Sequence, residues 1–378
     1  MLLAGLPLLF LASSGFAEPK PLADIPFELR DLHIYVKAKI NGQGPFDMNI
    51  DTGGFMCTTN ALAQKVGIRS DKDIKVGGAG EGMLTRGFGN VKLVQFGDAT
   101  ISDVGCVINE QNSDDGLEAG IGPELFEKYT VYFDYDHLRM KLYQKGQIPK
   151  LENAQDQPIH FMEDKPLIQV AIGGRSGWFM VDTGAGISII MQKNYWQDKQ
   201  VDSLFPPKFK VIVGYGVGGP IYGGVGRMPY VRIGDFRLNQ MPASYSEMTQ
   251  GTLANPERDG LLGQKILRHF NAVYDYANKR IILQPSQKFG QVEAYSYTGI
   301  VGQFNGKGWL VSNLLPDSAG SKAGLQKEDL ITAIDGKPIS TEDDYRKLIS
   351  KSEGTNLKLT LNRKGTIVEV RMTLREVL

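Results

Sequence analysis

Two Asp-Thr-Gly triplets, at residues 51–53 and 182–184, are the residues of this 378-residue chain whose types and spacing could do chemistry. Each follows an apolar run, FDMNI before Asp51 and WFMV before Asp182. One such triplet alone is an ordinary strand-to-turn transition. Two carboxylates held a few ångströms apart are a different object, because both cannot ionise comfortably and the pair shares a proton. Such a pair can take a proton from water and protonate a carbonyl oxygen in nearly the same moment, as amide hydrolysis requires. The neighbours suit that role. Gly53 and Gly184 allow a tight turn that presents backbone N–H groups to the carboxylates, and Thr52 and Thr183 can send hydroxyls across to the opposite loop.

Whether the triplets meet depends on the elements that carry them, and the chain repeats itself. GPFDMNIDTGG around Asp51 is echoed by SGWFMVDTGAG around Asp182, 131 positions on. QFGDATISDV (95–104) is matched by RIGDFRLNQM (232–241), with Gly97 and Asp98 facing Gly234 and Asp235 at an offset of 137. GIGPELFEKYTVYFDYDHLRMKL from Gly120 aligns with LLGQKILRHFNAVYDYANKRIIL from Leu261 at an offset of 141. Three blocks in one order with a slowly growing offset mean a duplicated unit whose second copy gained roughly ten loop residues. A pseudo-twofold axis between the copies would set Asp51 beside Asp182. Within each unit, runs of β-branched and aromatic residues such as HIYVKAKI, VYFDY and RIILQ alternate with Gly and Asn turns. That pattern predicts mainly β lobes with one brief helix each, near 123–128 and 264–269.

At these residues the chain resembles the retropepsin-like and pepsin-like aspartic peptidases, in a single-chain form with a DTG loop in each lobe, over roughly residues 25–285. The resemblance implies Asp51 and Asp182 as the catalytic pair, supported by Thr52, Gly53, Thr183 and Gly184. It implies that Ile121-Gly122 and Leu262-Gly263 pack under the two active-site loops. It also gives VGGAGEG (76–82), with Gly77, Gly78 and Gly80, and VGYGVGG (213–219), with Gly214, Tyr215 and Gly216, the role of flaps closing over a bound peptide; a plain mobile hairpin is the alternative. Gly214, Gly216 and Gly219 formally satisfy G-x-G-x-x-G, but Pro220 and more glycines follow, which removes the helix N-terminus a pyrophosphate needs. The residue after DTG is Gly54 in one lobe and Ala185 in the other, where pepsin-like relatives usually carry a hydroxyl that favours ionisation. The resemblance therefore implies activity toward weakly acidic or neutral pH.

Beyond SQKFGQVEAYS a third unit begins, and GWLVSNLLPDSAGSKAGLQKEDLITAIDGKPI with the following helical DDYRKLISK resembles a bacterial PDZ domain. Pro316, Ser318, Ala323, Gly324, Leu325, Asp329 and Gly336 carry the likeness. It implies that a loop with Thr298, Gly299 and Ile300 offers N–H groups to a chain-terminal carboxylate, the ligand adding as a strand. The alternative is a PDZ fold used for packing alone. The expected organisation is a signal peptide at 1–17, lobes at 18–150 and 151–286, a linker at 287–294 and a PDZ domain at 295–378.

The rest of the composition narrows the setting. Lys plus Arg and Asp plus Glu are 42 each, so no basic excess points to nucleic acid or an anionic membrane. His33, His137, His160 and His269 have no metal-ligand spacing, and neither a metal nor another cofactor is expected. Cys57 and Cys106 are either bridged or separately buried. MLLAGLPLLFLASSGFA predicts export to the periplasm or beyond, with an uncleaved anchor as the lesser alternative. The expected function is an aspartic endopeptidase acting on peptides or unfolded protein, with no dimer required because both carboxylates lie in one chain. The alternative is an inactive peptide-binding protein using the same cleft and PDZ domain.

Overall fold

The computed structural model describes residues 18–109 and 118–378. The expected signal segment 1–17 lies outside them. Among the described residues no helix is long and apolar enough to cross a membrane.

The strands of the described residues form three sheets, of thirteen, eight and six strands. The first binds the two copies together. Tyr129–Asp134 of the first copy pairs antiparallel with Phe270–Asp275 of the second, with Ala272 opposite Phe133 and Tyr274 opposite Val131. Both strands are buried along their whole length, with Thr130, Asp134, Asn271 and Asp275 buried among the apolar residues, so neither shows an in-out alternation. Phe126 meets Tyr274 at 5.2 Å between ring centroids and Phe133 meets it edge-on at 5.6 Å, so aromatic packing fills the join. One hydrophobic cluster runs through both lobes.

The repeat is legible in the backbone. Gly97 and Gly234, aligned in sequence, both take φ of 56° at their hairpin turns, a left-handed conformation that glycine adopts without steric cost. The expected helices are present at Pro123–Lys128 and Gln264–Leu267. The one-helix expectation needs correcting, because Asn60–Val66 in the first lobe and Lys193–Trp196 and Val201–Leu204 in the second are also helical. The first of these carries readable signals, the Thr59 hydroxyl accepting from Leu62 N and Gly67 closing the end at φ of 74°.

The third unit has its own core around Val311, Ile331, Ile334, Leu359 and Leu361. The stretch before it is docked, not a free linker. Phe289 meets Phe236 and Phe270 edge-on, and the buried Glu293 pairs with Arg268 and lies 3.4 Å from the buried His269. The third unit also touches both lobes. Leu315 joins a cluster with Val211, Val213 and Ile221 of the second lobe, Tyr215 Oη lies 3.1 Å from Ser312 Oγ, and Arg346 pairs with Asp31 of the first lobe at 2.7 Å.

Candidate active site

Each triplet sits where an apolar strand ends. Gln43–Ile50 buries Phe46, Met48 and Ile50, and Arg175–Val181 buries Phe179, Met180 and Val181. Each of these strands runs parallel to a short buried strand, Ala119–Ile121 or Gly260–Leu262. The carboxylate residues are then tied in the same way in both lobes. Asp51 N donates to Ile121 O and Asp182 N to Leu262 O, both at 2.9 Å. Gly122 and Gly263 lie directly under the loops: a Cβ on Gly122 would come 2.8 Å from Gly54 O, and one on Gly263 2.6 Å from Ala185 O.

Thr52 and Thr183, both fully buried, cross between the lobes. Thr52 N donates to Thr183 Oγ1 and Thr183 N to Thr52 Oγ1, each at 3.0 Å. The hydroxyls in turn donate to Val181 O at 2.6 Å and Ile50 O at 2.7 Å. Four reciprocal bonds thus fix one loop against the other. Gly53 N donates to Asp51 Oδ1 and Gly184 N to Asp182 Oδ1, both at 2.9 Å. The glycines are also needed for space, since a Cβ on Gly53 would come 2.6 Å from the Asp182 carboxyl carbon and one on Gly184 would overlap the Asp51 carboxylate.

The carboxylates therefore face each other across the join. Burial, then the charge of Asp51 and a hydrogen bond with it, push the Asp182 carboxyl well above the usual carboxylate range. Among the described residues no side-chain hydroxyl bonds either carboxylate: Gly54 supplies none, and a Cβ there would come 2.5 Å from Asp51 Oδ2.

Support is unequal behind the loops. Gln264 Nε2 donates to Thr183 O at 2.9 Å and its Oε1 accepts from Tyr135 Oη of the other lobe at 2.9 Å. In the first lobe Glu124 accepts from Met56 N and Gly122 N instead. Lys165 Nζ donates to Gly54 O, so a hairpin of the second lobe braces the loop of the first. None of these residues carries a motif, and aligning the repeats finds only their neighbourhood.

The two glycine-rich stretches meet each other. Gly80 N donates to Val217 O and Gly82 N to Gly218 O, each at 2.9 Å, joining loop 77–83 to the tip of the hairpin formed by Phe209–Gly216 and Gly219–Ile233. Gly78 O accepts from Thr252 N at 2.9 Å, and Gly216 packs against Ala79. Gly77 and Gly214 lie on the stems, nearest Met83 and Ile221 respectively, and Tyr215 reaches Ser312 of the third unit.

In that third unit Thr298, Gly299 and Ile300 precede the edge strand Ile300–Phe304. Their amides are already bonded: Thr298 N and Gly299 N donate to Ser296 Oγ at 3.3 and 2.9 Å, and Ile300 N to Thr298 Oγ1 at 3.1 Å. Trp309 and Tyr345 stack at 4.0 Å behind them. Elsewhere, Cys57 and Cys106 are not bridged, and burial pushes the Cys106 thiol up. His137 pairs with Asp134 at 2.9 Å, and no group of metal-ligating side chains forms among the described residues.

Comparison with known proteins adds the family. A family model described as aspartyl protease matches residues 36–121 and 168–266, and one described as PDZ domain matches residues 310–363. The periplasmic pH-dependent serine endoprotease DegQ of Escherichia coli is 42% identical over 69 residues, 18% of this chain and 15% of that protein. The periplasmic serine endoprotease DegP of Escherichia coli is 38% identical over 71 residues, again 18% and 15%. The chain thus spans about 15% of the length of these relatives. A solved aspartic proteinase from Irpex lacteus superposes with a TM-score of 0.48 at 13% identity, over 71% of this chain and 98% of that one.

Proposed function

We propose that this chain, whose two lobes are of the aspartyl protease family and whose C-terminal unit is a PDZ domain, is an aspartic endopeptidase acting on peptide or unfolded protein. The lobes are assigned to 18–150 and 151–286, and the PDZ domain to 295–378. The observation that carries the reading is the pairing of Asp51 with Asp182, locked by the reciprocal threonine bonds and each served by one glycine amide.

In the proposed mechanism the dyad holds one proton and binds a water between its carboxylates. The ionised carboxylate removes a proton from that water as its oxygen attacks the scissile carbonyl carbon. The protonated carboxyl gives its proton to the carbonyl oxygen, producing a neutral gem-diol without a covalent enzyme intermediate. In the collapse the protonated carboxyl gives its proton to the amine nitrogen as the C–N bond breaks, a gem-diol hydroxyl returns its proton to the other carboxylate, and the dyad is again singly protonated. Both carboxylate residues remain partly exposed, and the segments 77–83 and 217–218, which hydrogen-bond each other, are assigned as the flaps that close over bound peptide. Substrate entry requires the contacts between 77–83 and the hairpin tip at 217–218 to part.

For the PDZ domain, regulation of access is favoured over capture of chain termini. The loop amides that would take a terminal carboxylate are bonded within the loop, whereas Leu315 and Ser312 rest on the flap strand Phe209–Gly216. Export to the periplasm or beyond is proposed from the apolar N-terminal stretch and from the periplasmic relatives.

The test incubates an unfolded protein substrate with the full chain and with Asp51→Asn and Asp182→Asn, with a pepstatin-type inhibitor as control. Cleavage by the parent alone, blocked by the inhibitor, is expected. Equal cleavage by all three proteins would reject the dyad, and binding without cleavage across a pH series would favour the peptide-binding alternative.

A further inference from the structure

Arg258 is 2% exposed and has no carboxylate within ion-pair distance among the described residues. Its Nη1 lies 2.9 Å from Met180 Sδ and its Nη2 donates to Thr252 O, while Nε has no partner. A thioether is a weak acceptor and a carbonyl carries only a partial charge, so the guanidinium is buried without a counter-ion. Burial pulls it down to about 10, opposed by the charge of Asp182, and at neutral pH it is still a cation. Buried charges are ordinarily paired or neutralised, so an unpaired one with a vacant N–H calls for an anion that the chain itself does not supply.

The surroundings say where that anion comes from. Met180 is two residues before Asp182, on the strand that delivers the carboxylate to the site. Thr252, the other neighbour, donates its N–H to Gly78 O of the flap loop at 2.9 Å. Arg258 thus stands between the floor beside one carboxylate and the roof formed by the flap. Asp182 and Arg258 each perturb the other's titration, as expected of charges sharing one low-dielectric pocket. Parting of loop 77–83 from Thr252 would break the bond from Thr252 N to Gly78 O and open the side of Thr252 that Arg258 adjoins.

We infer that Arg258 is a specificity-determining residue, receiving the side-chain carboxylate of an Asp or Glu of the substrate adjacent to the scissile bond. The fork of N–H donors suits a carboxylate in two-point contact, including the vacant Nε. An amide isostere places an NH2 group against a cation and leaves the charge uncompensated, so the site rejects Gln where it accepts Glu. This assignment rests on the proposed cleft and dyad for its location, but recognition by Arg258 does not need turnover.

The test uses pairs of fluorescent peptides identical except for Glu or Gln at successive positions, with the full-length protein. Binding is read by anisotropy on Asp51→Asn, and cleavage is read by mass spectrometry on the parent. At one position the Glu peptide should bind about tenfold or more tighter than its Gln partner, and the parent should cut next to that Glu. Arg258→Met should bring the ratio to about one, and Arg258→Lys should keep part of it. A purely structural role for Arg258 would weaken both peptides equally. Equal binding of every Glu and Gln pair by the unsubstituted Arg258 site overturns the inference, even if Arg258→Met fails to fold. Discrimination that survives in Arg258→Met overturns it too. Cleavage without any Glu preference would leave the protease reading standing and this inference fallen; Glu preference in binding without cleavage would do the reverse.

Discussion

Replacing Thr183 by Val tests the join between the lobes at its centre. The side chain is fully buried, accepts from Thr52 N at 3.0 Å and donates to Ile50 O at 2.7 Å. Valine keeps the shape, so no cavity forms, but a buried N–H and a buried C=O lose their partners. Each unsatisfied group costs about 1–3 kcal/mol, giving about 2–6 kcal/mol for the substitution. The companion bonds made by the Thr52 hydroxyl remain intact, so Thr52→Val should cost a similar amount. Thr183→Ser keeps both bonds and loses one methyl group, about 0.8 kcal/mol. The assay is urea denaturation and a thermal melt of the three variants. The valine variants should melt roughly 4 °C or more below the parent, with the serine variant well above them. Valine variants as stable as the serine variant would refute the reasoning, since the hydroxyl bonds would then contribute nothing to holding the lobes together.

Other outcomes follow from the same geometry. Because the folded state raises the Asp182 carboxyl, its contribution to stability is full below the unfolded value and is lost as pH rises through the folded one. Asp182→Asn does not titrate, so its melting temperature relative to the parent should climb from acid toward neutral pH; a falling difference would contradict the assigned direction. A Cβ on Gly80 would overlap the Gly218–Gly219 backbone. Gly80→Ala should therefore part the flap tips, raising KM and quickening limited proteolysis within 77–83 while leaving the melting temperature nearly unchanged. Leu315→Asp puts a charge into the cluster that seats the PDZ domain on the strand Phe209–Gly216. Amide exchange along Phe209–Gly216 should rise, with Gln43–Ile50 unaffected.

The legible part of this molecule was the part that repeats. A duplicated strand and triplet predict a shared axis, and the axis brings Asp51 to Asp182 and turns Thr52 and Thr183 into reciprocal partners. The place of Gly122 and Gly263 under the loops was implied by the family resemblance of Ile121-Gly122 and Leu262-Gly263, which occupy matching points of the repeat. What escaped is what breaks the symmetry. Arg258 has no periodicity or motif, and the first copy carries Leu117 at the aligned position. Gln264 and Lys165 act through contacts between segments far apart in the chain, which no local pattern encodes. The seating of the PDZ domain was equally invisible, since Leu315 reads as one more apolar residue of its own unit. The extra helices were missed for another reason: they are short, and only the Thr59 and Gly67 caps announce the first.

The central claim is that Asp51 and Asp182 form one functional unit around a single water. It is tested most directly by the rate of peptide cleavage in Asp51→Asn, Asp182→Asn and the double variant, each shown to be folded. If the carboxylates share one proton and one water, either single substitution should abolish turnover as fully as both together. A single variant retaining the parent rate, or two partial losses that multiply in the double variant, would contradict it.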